Sequence, residues 1–133
     1  MRRFLLVLPL TLAACVPADP PEEVSGRTAF LESCAGCHGT DARGTGPASA
    51  GLDPAPADLT RIAARRGGAF PRDRVMSIID GYRRCTHVGG AMPVFGDTDL
   101  GHTVIVENPD GTGTPVPATL LALTDYLEGI QRP

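Results

Sequence analysis

The sequence contains no tryptophan and no lysine, and only 5% of its residues are aromatic. All 12 basic side chains are arginines, and 15 side chains are acidic, which gives a net charge of −3. Such an acidic chain argues against a nucleic acid as a partner. Because aromatic residues are scarce, the apolar material for an all-protein core is modest, and we expect something else to fill part of the interior.

A hydrophobic run long enough to span a membrane is also missing. The apolar run at residues 4–12 follows two arginines and is shorter than the roughly 20 residues that a transmembrane helix needs. This layout is typical of a secretory signal peptide. Residues 12–15, "LAAC", resemble the lipobox of bacterial lipoproteins, which implies cleavage before Cys15 and a diacylglyceryl group on its sulfur. A plain signal peptide with an incidental cysteine is the alternative.

The segment after this cysteine, "VPADPPEEV", is rich in proline and acid and has no periodicity. We interpret it as a semi-extended tether that reaches about 28 Å at roughly 3.1 Å per residue. Lipid on Cys15 would hold the protein at a membrane surface without spanning it. The predicted organisation is a lipoprotein signal peptide (1–14), a lipidated cysteine with a proline-rich tether (15–24) and one folded domain (25–133).

The folded domain is predicted to be mostly α-helical. Apolar residues recur at helical spacing, Ser25 and Asp58 are positioned to cap helices, and Gly81 is positioned to end one. Val104 and Val106 alternate with more polar neighbours before a strong turn sequence, "NPDG", which predicts a β-hairpin. The predicted elements are helices over 26–38, 59–66, 71–80 and 117–130, and a hairpin over 103–116.

Residues 34–38 read "CAGCH". On a helix, residues i, i+3 and i+4 share a face, so Cys34, Cys37 and His38 would point the same way. Two thiols can add to the two vinyl groups of a haem while the neighbouring imidazole reaches the iron. Cys-x-x-Cys-His is the attachment signature of haem c, so the sequence predicts one covalent haem c with His38 as an iron ligand.

Three other interpretations of this motif compete with haem attachment. A thioredoxin-like redox pair requires a preceding strand in a βαβ unit, and the pattern shows none. A zinc site needs about four ligands, usually as two pairs, and only this cluster is visible. A structural disulfide between the two cysteines would leave His38 without a function.

A haem iron that only passes electrons has a second axial ligand. Met92 in "GGAMPVFG" is the candidate, because the two glycines and the following proline indicate a loop whose backbone comes close to a ligand. A thioether favours Fe(II) and raises the reduction potential. A methionine that only fills a gap in the core, as we expect for Met76, is the alternative, and His87 in the same loop is the competing ligand.

Several spaced features, taken together, are similar to the class I monohaem cytochromes c. They are a glycine and a phenylalanine before the haem motif, the motif itself, a methionine–proline pair and a tyrosine in the last helix. In this sequence they are Gly26, Phe30, Cys34, Cys37, His38, Met92, Pro93 and Tyr126. The resemblance covers about residues 25–132 and implies a small helical domain around one haem c.

The resemblance also carries expectations for individual residues. It implies that Gly26 and Phe30 of the first helix pack against Tyr126 of the last. It further implies that a proline carbonyl accepts a hydrogen bond from the ligand histidine, His38, and Pro47 in "GTGPA" is the best match. Such a contact fixes the orientation and the basicity of the ligand.

Two features depart from the family pattern: the hairpin and Cys85. This cysteine is a free thiol, a partner in an intermolecular bond, or a small buried residue without chemistry. Tyr82, Arg83 and the pair Arg65–Arg66 are candidates for hydrogen bonds to haem propionates, with a solvated face as the alternative for the arginines.

The sequence therefore predicts a one-electron carrier, not an enzyme, that is lipid-anchored on the periplasmic side of a bacterial membrane. Redox donor and acceptor proteins are its expected partners. A ligand-binding haem c sensor or enzyme, which requires an open distal position on the iron, is one alternative. A fixed cytochrome subunit of a larger redox complex is the other.

Overall fold

A computed structural model of the chain describes residues 25–83 and 92–133. The signal peptide, Cys15, the tether, Cys85 and His87 lie outside the described residues. Within them the structure has four α-helices and one antiparallel hairpin, in agreement with the predicted mostly-α fold. The helices are α1 (Gly26–Ser33), α2 (Ala35–His38), α3 (Arg72–Asp80) and α4 (Ala118–Gly129), and the strands are β1 (Thr103–Glu107) and β2 (Gly113–Pro117).

The first predicted helix forms but is interrupted. The hydroxyl of Ser25 accepts a hydrogen bond from the Thr28 amide, which caps α1 as expected. Cys34 breaks the helix and serves as the link to α2: its amide donates to the Phe30 carbonyl, and its own carbonyl accepts from the His38 amide. The haem motif therefore lies on one short turn that continues directly from α1.

Helices α1 and α4 cross in direct backbone contact. A Cβ atom on Gly26 would lie 1.9 Å from the Ala122 carbonyl oxygen, so no other residue fits without movement of a helix. One turn further along α1, the ring of Phe30 contacts the ring of Tyr126, with centroids 5.4 Å apart and planes at 42°. The expected packing of the first helix on the last is thus present.

The predicted helix over 59–66 is instead two 3₁₀ turns, Leu59–Arg61 and Ala64–Arg66. Asp58 caps the first turn as expected, since its carboxylate accepts from the Thr60 amide and hydroxyl. An α-helix would require the Ala63 amide to donate to the Leu59 carbonyl. The side-chain amide of Gln131 lies between these two groups: it accepts from the Ala63 amide and donates to the Leu59 carbonyl, both at 2.8 Å.

Helix α3 forms as predicted and ends at Gly81, whose φ of 93° is accessible mainly to glycine. It packs on α4, and an ion-pair network ties the two helices together. Arg72 at the start of α3 donates to the carboxylates of Asp125 and Glu128 on α4. Met76 is partly buried against the core, as expected.

The hairpin also forms as predicted, with Ile105 opposite Pro115 and Val104 opposite Val116. Its inner face adds Val116 to the core, whereas the outer face leaves Ile105 70% exposed. Pro117 is the last residue of β2 and the N-cap of α4. The helix therefore begins at Ala118, one residue later than predicted.

Helix α4 supplies the centre of the core. Leu120, Leu123 and Leu127 are buried along one face, where they meet Phe30 and α3. Thr124 is fully buried on the same helix, and its hydroxyl is satisfied by the Leu120 carbonyl at 2.8 Å. No helix in residues 25–83 or 92–133 is long and apolar enough to cross a membrane.

Candidate functional site

An open cavity of about 460 Å³ lies between α1, the loop that follows the haem motif, α3, α4 and residues 92–95. Its volume is in the range of sites that bind a cofactor-sized ligand, about 300–1,000 Å³. Its walls are predominantly apolar. The leucine, isoleucine, valine and phenylalanine side chains that line it are Phe30, Leu52, Leu59, Ile62, Val75, Ile78, Ile79, Phe95, Leu123 and Leu127.

The haem motif forms one wall of this cavity. Cys34, Cys37 and His38 all line it, as their spacing on a helical turn predicts. Both thiols are free and half-buried. Burial, and secondarily the neighbouring Cys37, raises the pKa of the Cys34 thiol to about 11, so this thiol is neutral at physiological pH.

The imidazole of His38 has a fixed orientation. Its Nδ1 lies 3.0 Å from the carbonyl oxygen of Ala57. Because a carbonyl oxygen only accepts hydrogen bonds, Nδ1 must carry the proton and donate it. The lone pair of the neutral ring is then on Nε2, the atom through which a histidine in this orientation can bind a metal.

This contact corrects the prediction for Pro47. The amide of Gly46 donates to the Cys37 carbonyl, so the chain before Pro47 packs against the backbone of α2, and Pro47 itself is exposed and does not line the cavity. Ala57, ten residues further on, takes the expected position of the proline carbonyl.

The loop reaches Ala57 through backbone contacts that composition does not reveal. The Leu59 amide donates to the Ala42 carbonyl at 2.8 Å, which draws the 57–59 segment alongside the start of the loop. Gly44, at a φ of 85°, packs so closely there that a Cβ atom would lie 2.1 Å from the Pro56 carbonyl oxygen. The sequence signal for this arrangement is Pro56, a loop proline directly before Ala57 that could have been considered beside Pro47.

Met92 lines the same cavity as His38 and is partly buried. Met76, the other methionine of the described residues, does not line the cavity. The structure therefore brings together Cys34, Cys37, His38 and Met92, and separates Met92 from the core methionine.

Comparison with protein-family models matches residues 24–101 to the family described as cytochrome c. The match spans more than half of the chain and includes the haem motif and Met92. The chain belongs to the cytochrome c family. No curated protein and no solved structure gave a match.

Members of the cytochrome c family bind haem c covalently, and this chain carries one attachment motif. The cavity fits that group: two free thiols, a ring nitrogen with its lone pair available and an apolar surround meet in one space. No group of three or more His, Cys, Asp or Glu side chains within residues 25–83 and 92–133 is arranged to hold a metal ion by itself.

Three arginines add positive charge to the cavity of this cytochrome c. Arg65 and Arg66 line it, as the propionate hypothesis for this pair requires, and so does Arg74 of α3. Arg74 was not predicted from the sequence. It lies one turn before Ile78 on the same face of α3, and that spacing would have placed it beside the cavity. Tyr82 and Arg83 do not line the cavity, and Tyr82 is 87% exposed.

Proposed function

We propose that this chain is a class I monohaem cytochrome c that carries one electron between redox proteins. Cys34 and Cys37 would hold the haem through thioether bonds, and His38 and Met92 would bind its iron. When bound, the haem supplies reversible one-electron chemistry at iron. The protein is a carrier and not an enzyme, and it contributes no catalytic side chain.

The observation that carries this proposal is the contact between His38 and Ala57. A hydrogen bond from Nδ1 to a carbonyl fixes the ring and raises the basicity of the opposite nitrogen. A histidine prepared in this way, next to two free thiols and facing an apolar cavity, has the features of an axial ligand. The alternative, a histidine that only packs in the core, would not explain why two cysteines lie beside it.

The apolar walls support the carrier function in a second way. With haem bound, the leucine, isoleucine and valine side chains would keep water away from the iron, so a charge change there would need little solvent rearrangement. A neutral thioether from Met92 favours the reduced iron and raises the potential.

The proposed partners follow from the charges around the cavity. The propionates of the haem are anionic, and Arg65, Arg66 and Arg74 are placed to pair with them. Arginine charge left at the opening, with nearby apolar surface, would contact the donor and acceptor proteins in transient complexes.

The proposed location rests on the N-terminal sequence. A lipid on Cys15 and the proline-rich tether would hold the domain at the periplasmic side of a bacterial membrane. Detection of an unmodified Cys15 by mass spectrometry of the protein purified from its native host would remove the lipoprotein part of the proposal. A version in which residues 1–24 are replaced by an ordinary signal peptide should yield a soluble holoprotein.

The attachment is tested by extraction of haem with acidified organic solvent. Haem bound through Cys34 and Cys37 should stay with the protein, and a tryptic peptide that contains both residues should carry the mass of haem. Loss of all haem into the solvent would show that the attachment is not covalent. The His38→Ala protein should accumulate little stable holoprotein.

The distal ligand is tested with a matched pair of methionine variants. Met92→Ala should lower the reduction potential, abolish the far-red sulfur-to-iron absorption band and open a site for carbon monoxide. Met76 is also partly buried but lies outside the cavity, so the Met76→Ala protein should be less stable and should keep the far-red band. His87→Ala should also keep it. A Met92→Ala protein that retains the band would show that another residue binds the iron.

A further inference from the structure

We propose that Gln131, two residues before the C-terminus, is a positioning residue that holds the Ala57 carbonyl on the ring of His38. This inference rests on the proposed function, because it concerns the ligand that His38 supplies to the iron. Gln131 lies outside the cavity, yet it would affect the reduction potential of the haem iron through His38.

Three hydrogen bonds place the side chain of Gln131. Its oxygen accepts from the Ala63 amide at 2.8 Å, and its nitrogen donates to the Leu59 carbonyl at 2.8 Å and to the Leu127 carbonyl at 2.6 Å. The side-chain amide thus occupies the gap in the 59–63 turn where an α-helix would have its own backbone bond. It also attaches that turn to the last turn of α4.

Asp58 connects this turn to Ala57. Thr60 donates twice to the carboxylate of Asp58, at 2.9 Å and 2.6 Å. The guanidinium of Arg65 donates to the backbone carbonyl of the same aspartate at 2.8 Å. Asp58 is therefore fixed to the turn on both its side chain and its backbone, and the carbonyl of Ala57 belongs to the adjoining peptide unit.

Arg132 supplies a second anchor for the same turn. The Arg132 amide donates to the carbonyl of Thr60, a residue that is only 2% exposed. With Gln131, this bond fixes the 59–63 turn against the end of α4, which itself packs in the core. The Ala57 carbonyl, 3.0 Å from His38 Nδ1, is thus held from two sides: by the Leu59–Ala42 bond within the loop and by the C-terminal segment through the 59–63 turn.

Removal of the side-chain amide has a defined structural consequence. In Gln131→Met the side chain keeps its length and apolar stem but makes none of the three hydrogen bonds. The Ala63 amide and the Leu59 carbonyl are then free to bond to each other, which tightens 59–63 into an α-turn and shifts Asp58 and Ala57. Because both backbone groups find a partner, the variant is expected to fold.

The test uses the full holoprotein labelled with ¹⁵N-histidine, in the reduced state. The chain has three histidines, so the ring signals of His87 and His102 serve as internal references. The Nδ1 proton of His38 should exchange about fivefold faster in Gln131→Met than in wild type, since one ordinary hydrogen bond is weakened. The midpoint potential should rise, because a weaker hydrogen bond makes His38 a less basic ligand.

Two further variants sharpen the result. Gln131→Glu keeps the acceptor for the Ala63 amide but sets a carboxylate oxygen against the carbonyl oxygens of Leu59 and Leu127, so exchange and potential should shift in the same direction as in Gln131→Met. Arg132→Ala removes an exposed side chain and keeps the backbone donor, so exchange and potential should both match wild type.

Lower unfolding midpoints in both Gln131 variants, with unchanged proton exchange and potential, would overturn the inference and leave Gln131 as a structural residue only. Should the Met variant fail to incorporate haem, the same two measurements on Gln131→Glu decide the matter. Failure of the proposed function looks different: the wild-type protein itself would then show no iron-bound His38 ring.

Discussion

Gly26 provides the sharpest test of the helix crossing that frames the cavity. In Gly26→Ala the new methyl would lie 1.9 Å from the oxygen and 2.4 Å from the carbon of the Ala122 carbonyl, and 3.0 Å from the Leu123 amide. These are backbone atoms in the middle of α4, so no side-chain rotation relieves the contact. The two helices must move apart, and the Phe30–Tyr126 ring contact must loosen with them.

The magnitude follows from two opposing terms. Overpacking a well-packed site costs about 1–3 kcal/mol, and this site lies at the upper end because backbone has to move. Alanine in place of glycine returns about 0.5–1 kcal/mol in the middle of a helix, and at the first helical position, where Gly26 lies, it returns at most that amount. We therefore expect a net loss of about 2 kcal/mol in the free energy of unfolding, or about 10 °C in Tm for a domain of this size.

The assay is denaturant and thermal unfolding of the holoprotein, followed by far-ultraviolet circular dichroism. Gly129→Ala is the matched control, since this helical glycine is exposed and a Cβ atom there meets nothing within 4 Å. It should be neutral or slightly stabilising. Equal stability of the Gly26 and Gly129 variants would refute the direct backbone contact between α1 and α4.

The remaining predictions concern one aromatic pair, one ion-pair network and one cap. A double-mutant cycle with Phe30→Leu and Tyr126→Leu should give a coupling energy of about 0.5–1.5 kcal/mol in unfolding experiments; additive effects would contradict the ring contact. Arg72→Met should cost at most about 1 kcal/mol, a loss that shrinks as salt is added, because its acidic partners on α4 are half exposed. Hydrogen bonds from Thr60 lower the pKa of Asp58, so its contribution to stability is present above pH 3.8 and is lost as the pH falls through the lowered value. Asp58→Asn should therefore flatten the acid limb of the stability profile, and an unchanged limb would contradict this assignment.

Local signals in the sequence predict much of the fold. Ser25 and Asp58 cap the turns expected of them, Gly81 ends α3, and "NPDG" closes the hairpin. Each of these features depends on residues that are close together in the chain. The haem motif belongs to the same group, since its three side chains share one turn and meet the cavity together.

The features that sequence reasoning missed depend on distant residues. The 59–66 segment has good helical propensity, but Gln131 and Arg132 take up its backbone groups. Ala57 replaces Pro47 at His38 because the path of the loop is set by contacts with Ala42 and the haem motif.

Arg74 shows a different difficulty. An arginine on a short helix is usually solvated, and only the location of the cavity beside α3 shows that it borders the site.

The optical spectrum of the oxidised and reduced wild-type holoprotein, with and without carbon monoxide, tests the central claim most directly. Ligation by His38 and Met92 predicts a far-red sulfur-to-iron band in the oxidised protein and a reduced spectrum that carbon monoxide leaves unchanged. Absence of that band, together with ready binding of carbon monoxide to the reduced protein, would contradict the carrier account and indicate a ligand-binding haem protein.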